Sequence, residues 1–151
     1  MNANFDFRAA LPHWINRAAQ ALRAEATSRL QQQGLMLTAE EWSLMMILWQ
    51  DGPQTMTALA RLTSRDRTTV TRLIDRLTRK ELVDRHARAD DRRVVQIAAT
   101  EKGQELRDPV TRIIGGVIRD TCGDLDPAEY ETTLLVLQRM TARLEGDVPQ
   151  T

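Results

Sequence analysis

Between residues 8 and 33, Leu11, Trp14, Ile15, Ala18, Leu22 and Ala26 recur at three- and four-residue spacings, with Arg17 and Arg23 between them. That period places the apolar positions on one face of a long helix, which Gly34 ends. Thr38-Ala39-Glu40-Glu41 follows, a hydroxyl and a carboxylate three residues apart that can each cap the other's backbone amide. The helix starting there runs through Trp42 to Trp49 with apolar residues on nearly every side. It is therefore predicted to be buried among several partners, and Gly52-Pro53 stops it.

A short extended piece, Gln54 to Met56, leads to Thr57–Leu62, long enough for only two helical turns. Thr63-Ser64 breaks the pattern before a second helix begins near Asp66. Two short helices joined by a tight turn are the helix-turn-helix signature. In the second, Val70, Leu73, Ile74 and Leu77 form one apolar stripe. The opposite side carries Arg65, Thr68, Arg72 and Arg79, flanked by Thr71, Asp75 and Arg76, a face of hydroxyls and guanidiniums with one acid. Leu82–His86 and Val94–Ala98 are rich in β-formers and enclose the charged, turn-prone residues 87–93, which predicts a β-hairpin with a basic tip. Thr100 caps another helix, predicted to be kinked or split by Pro109 and by Gly115-Gly116. Asp126-Pro127-Ala128-Glu129 then starts a last amphipathic helix marked by Tyr130, Leu134, Leu137, Met140 and Leu144. That helix ends at Gly146, and residues 147–151 are expected to fray. The sum is a mainly α fold with a small β-hairpin wing.

Composition narrows the function. At 151 residues the chain suits one compact domain, or a small DNA-reading module fused to an assembly module that shares one core with it. No apolar run approaches the roughly 20 residues of a membrane helix, and no charged-then-apolar leader opens the chain, so a cytoplasmic protein is expected. The lone Cys122 cannot form an intramolecular disulfide, and with only His13 and His86 as imidazoles no metal site or cofactor is expected. No Gly-rich phosphate loop, metal-ligand cluster or triad is present, which argues against an enzyme. The 21 basic and 21 acidic residues cancel overall but are unevenly placed. Residues 61–93 hold 11 Arg or Lys against 6 Asp or Glu, the electrostatic footprint of a phosphate-docking surface. On charge alone, a solvated helix face fits equally.

The motifs go further. Leu59-Ala60-Arg61, then Asp66-Arg67-Thr68-Thr69-Val70-Thr71-Arg72-Leu73-Ile74-Asp75-Arg76-Leu77, then Asp91-Arg92-Arg93 in register with Thr100-Glu101-Lys102-Gly103, closely resemble the MarR family of winged helix-turn-helix regulators. Two departures stand out. Glu81 occupies a place usually held by glycine, so either the helix ends differently or left-handed strain is tolerated, and Ala99 replaces a leucine. The resemblance implies a repressor of nearby genes whose helix 66–79 enters the major groove of double-stranded DNA. Arg65, Thr68, Thr69 and Arg72 then read bases, with Asp66, Arg67, Thr71 and Arg76 at the helix start and along the backbone. In the wing, Arg88, Arg92 and Arg93 reach phosphate or minor groove, and Asp91 orients Arg93 or shapes the turn. The resemblance also implies a homodimer paired through the terminal helices, a pseudo-palindromic operator, and release by a small aromatic or anionic effector. His13, Trp14, Trp42, Met45, Met46 and Trp49 are the candidates to line an effector pocket, although such a stripe equally suits plain core. A winged helix that binds DNA without sequence preference, or that docks a protein, stays open as an alternative.

Overall fold

A computed structural model of the chain describes residues 6–146, so the expected fraying of 147–151 lies outside the described residues. The chain divides into two units, residues 1–115 and 116–151. In the first, a 3-10 turn at Phe7–Ala9 precedes α1 (Leu11–Gln32), α2 (Ala39–Asp51), β1 (Gln54–Thr55), α3 (Met56–Leu62), α4 (Arg67–Arg79), β2 (Val83–Ala87), β3 (Val95–Ala99) and α5 (Glu101–Glu105). Helix α6 (Arg107–Cys122) begins in the first unit and ends in the second, which also holds α7 (Pro127–Glu145).

The local signals explain most boundaries. Thr38 and Glu41 form the reciprocal capping box at the start of α2. Thr55, Asp66, Thr100 and Asp126 cap α3, α4, α5 and α7 through their side chains. Helix α1 starts three residues later than its periodicity suggests, because Ala10 is extended and Pro12 fits only the first turn. The predicted kink at Pro109 is a break at Leu106, between α5 and α6. Proline at 109 offers no amide to the carbonyl four residues earlier, so the continuous ladder fails upstream of the ring. Gly115-Gly116 lie inside α6 without interrupting it.

Strand order is β1-β3-β2, all antiparallel, with Gln54 opposite Ile97 and Arg85 opposite Ile97 on the other side. The core of the first unit gathers Leu44 and Met45 of α2, Leu59 of α3, Leu73 and Ile74 of α4, and Ile97 of β3, all buried. In the second unit α7 has no buried residue, and Tyr130, Leu134, Leu135 and Leu144 are exposed. Among the described residues no helix is long and apolar enough to cross a membrane, and no His, Cys, Asp or Glu cluster could hold a metal ion.

Candidate nucleic-acid interface

Helix α4 buries Val70, Leu73, Ile74 and Leu77, so its basic face is turned outward. At its start the Asp66 carboxylate accepts from the Thr69 amide at 2.9 Å and the Thr69 hydroxyl at 2.6 Å. Those bonds hold the exposed Asp66 carboxyl below the ordinary aspartate range, the Thr69 hydroxyl contributing most. The Thr71 hydroxyl donates back to the Arg67 carbonyl at 2.8 Å. Of the three threonines expected to face DNA, two therefore have hydroxyls committed within the helix. Arg67, Thr68 and Arg72 are exposed, and their side chains have no partner among the described residues.

Both ends of α4 turn through left-handed residues. Ser64 in the helix-helix turn has φ 50°, and Glu81 just past the helix has φ 61°. After α4 the Glu81 amide donates to the Thr78 carbonyl and the Leu82 amide to the Leu77 carbonyl, the paired bonds of a left-handed helix stop. Strain at Glu81 is thus retained rather than avoided. Two tethers offset it, the Thr100 hydroxyl on the Glu81 carbonyl at 2.6 Å and Lys102 on the Glu81 carboxylate at 2.8 Å. Lys102 also holds that carboxyl below its usual range.

The same corner gives the Thr-x-x-Gly motif its physical reason. Thr100 accepts from the Gly103 amide at 3.0 Å, and a Cβ at Gly103 would lie 2.1 Å from the Leu82 carbonyl oxygen. The Gly103 carbonyl accepts from Trp49 Nε1 at 3.1 Å. Glycine here lets α5 close directly on the residues just past α4.

The wing tip is ordered by its acids. Asp91 accepts from the Arg93 amide at 3.0 Å and from Arg93 Nε at 3.1 Å, so it both shapes the turn and orients the arginine, whose side chain is 91% exposed. Both arginine contacts lower the Asp91 carboxyl, the side-chain bond more than the backbone one. Arg88 pairs with Asp90, while Arg92 is exposed without a side-chain partner among the described residues. Arg65 lies 3.8 Å from Glu40, and Arg76 Nε lies 3.6 Å from Glu41. These partners escaped the sequence reading, as did Asp75 with Arg85 at 2.7 Å and Lys80 with Glu41 at 2.6 Å. Each joins residues that no local period connects.

The six candidate effector residues occupy different surroundings. Met45 is fully buried and Trp49 nearly so, which makes both core residues. Trp42 is half-buried and donates to the Thr27 hydroxyl at 3.2 Å, and Met46 is half-buried. Trp14 is exposed beneath Arg17, edge-on to His13.

Comparison with known proteins fits this geometry. The sequence profile of the MarR family matches residues 37–95. The crystal structure of the transcriptional regulator PA3341 is 30% identical, covers 91% of this chain and 99% of that one, and superposes with a TM-score of 0.81. The chain belongs to the MarR family. It is a winged helix-turn-helix, DNA-binding transcriptional regulator, in a family that regulates transcription rather than catalysing a reaction. Among curated relatives, the HTH-type transcriptional repressor NicR of Pseudomonas putida is 27% identical over 141 residues, 92% of this chain and 87% of that protein. The BpsR regulator of Bordetella bronchiseptica, whose DNA binding is regulated by 6-hydroxynicotinic acid, is 25% identical, covers 91% of this chain and 96% of its own, with a TM-score of 0.78.

Proposed function

We propose that this MarR-family regulator is a cytoplasmic, sequence-specific repressor that binds a pseudo-palindromic operator as a homodimer and is released by a small aromatic anion. The carrying observation is the outer face of α4, where Arg67, Thr68 and Arg72 are exposed and unpartnered while the neighbouring polar groups are internally satisfied. Unpaired guanidiniums on a rigid helix are poised for two-point contact with guanine, worth about 1–3 kcal/mol of base discrimination. Arg72 and Thr68 read bases in this proposal, with Arg65 and Thr69 beside them. Asp66 and Thr71 set the helix start, and Arg67 and Arg76 meet phosphates. Arg88, Asp91, Arg92 and Arg93 form the wing contact.

One such lobe makes few contacts, so useful discrimination requires two, presented about 34 Å apart along the duplex. The exposed apolar row on α7 supports pairing through the terminal helices, residues 8–34 and 100–146, with residues 54–99 as the reading lobe. Repression and an aromatic carboxylate effector follow the named relatives, NicR as a repressor and BpsR as a responder to 6-hydroxynicotinic acid. Of the six candidate residues, His13, Trp14, Trp42 and Met46 keep surface that could meet such a molecule.

The test is selection of a duplex from a randomised pool, followed by binding across a salt series with Arg72→Ala alongside. The expected result is a tightly bound, dyad-symmetric sequence, affinity that falls steeply with salt, and lost base preference in the variant. Equal affinity for selected and random duplexes would replace the repressor reading with a non-specific DNA binder.

A further inference from the structure

An apolar stripe fixes how deeply a helix is buried but is non-directional, so it leaves rotation and sliding about the contact weakly determined. Helix α4 is seated by such a stripe. Base reading needs more, because a two-point contact tolerates little displacement of the guanidinium. Beside the Asp75–Arg85 pair with β2, the directional contacts on α4 come from the first turn of α2. Glu41 is 1% exposed and is the buried charged residue among the described residues. One of its oxygens accepts from the Thr38 amide at 2.9 Å and from Lys80 Nζ at 2.6 Å, and the other lies 3.6 Å from Arg76 Nε. Lys80 also donates to the Met36 carbonyl at 2.8 Å, so the residue just beyond α4 grips both the connecting segment and α2. The adjacent Glu40 faces Arg65, the residue before the cap of α4, at 3.8 Å. Its carboxyl is held below the ordinary range by a hydrogen bond to its own backbone amide, with the Thr38 hydroxyl and then Arg65 and Arg76 adding to the effect. Two consecutive acids thus hold the two ends of the reading segment.

We infer that Glu41, through Lys80 and Arg76, is a positioning residue for base reading: it fixes the seat of α4 so that the reading arginines meet base edges in register. This rests on the operator reading above. A buried pair is weak evidence of net stability, since apolar replacements of similar shape often do as well. Its contribution here is alignment. Phosphate attraction is tolerant of small displacements and base contact is not, so loosening the clamp separates the two kinds of DNA binding.

The experiment measures affinity for a duplex selected by the wild-type protein from a randomised pool and for a random duplex of equal length. The proteins are wild type, Glu41→Gln, Lys80→Gln and Lys80→Arg, with the folded fraction of each taken from denaturant unfolding. Glutamine at 41 keeps an oxygen for the Thr38 amide but removes the charge that holds Lys80. The expected result is a loss of about tenfold on the selected duplex, the scale of one misaligned two-point base contact. Binding of Glu41→Gln to random DNA stays within about twofold of wild type, and Lys80→Arg keeps the wild-type ratio because it retains the pair. Equal tightening on both duplexes in Glu41→Gln would mean that only a repelling charge was lost, and equal weakening in proportion to the folded fraction would mean a purely structural role. Either overturns the inference while leaving operator binding intact. A wild-type protein that selects no sequence overturns the operator reading, and this inference with it.

Discussion

Helices α4 and α7 are written with the same three- and four-residue apolar spacing, and the chain treats them differently. On α4 the stripe Val70, Leu73, Ile74 and Leu77 is buried within the first unit. On α7 Tyr130, Leu134, Leu135 and Leu144 stay exposed and no residue is buried. Amphipathicity therefore identifies a helix with a face to cover but does not say whether the same chain covers it. The first unit completes its own core. The α7 face calls for a partner, which the proposed dimer supplies.

The sharpest way to break this contrast is one kind of substitution in both places. Ile74→Ala is expected to cost about 2–5 kcal/mol in urea unfolding at any protein concentration. Leu134→Ala should stay within about 0.5 kcal/mol in dilute protein, with a deficit that grows as wild type becomes dimeric at higher concentration. A concentration-independent penalty at Leu134 would place its partner within the chain. Next in size is Gly103→Ala, because the added Cβ meets the Leu82 carbonyl rather than a flexible side chain. It is expected to lower stability by about 1–3 kcal/mol, and the loss of tryptophan protection at Trp49 would locate the damage at the corner where α5 meets the end of α4.

A smaller change of opposite sign is expected at the end of α4. Glu81→Gly relieves a left-handed glutamate but removes its pair with Lys102, and the strain relief should dominate, raising the thermal midpoint by a few degrees. A lowered midpoint would show that the tether outweighs the strain. The smallest effect concerns pH. Because the folded Asp66 carboxyl lies below its ordinary value of 3.8, its capping contribution is fully present above that value and is lost as pH falls through the lowered one. Asp66→Asn, which keeps an oxygen for the cap, should lose less stability than wild type across that interval in acid titrations followed by circular dichroism.

What was legible in the sequence was local. The capping box at Thr38 and Glu41, the short helices around Thr63-Ser64, the hairpin and the start of α7 all follow from residues within a few positions of one another. Pro109 announced a disturbance, but its effect falls at Leu106 because the missing amide is felt one turn upstream. The outer face of α4 was legible as composition and not as bonding. Nothing in Thr69 or Thr71 reveals that Asp66 and the Arg67 carbonyl engage their hydroxyls, since a threonine oxygen can serve DNA, a cap or its own helix. Glu41 was visible as a cap, but its pairing with Lys80 spans 39 positions and depends on how α2 lies along α4. The Arg and Thr pattern could thus nominate a surface while leaving open which of its groups are free.

The three tryptophans amount to an optical map of the protein. Trp49, sealed in the core with its indole N–H on the Gly103 carbonyl, should emit at the shortest wavelength and resist soluble quenchers. Trp42 sits half-covered with its N–H on the Thr27 hydroxyl, between α1 and α2. Trp14, 55% exposed, should emit farthest to the red and be extinguished first by iodide, which the cation over its ring draws in. Intrinsic fluorescence can therefore follow the corner behind α4, the α1–α2 contact and the outer surface of α1 as separate signals, without any added label.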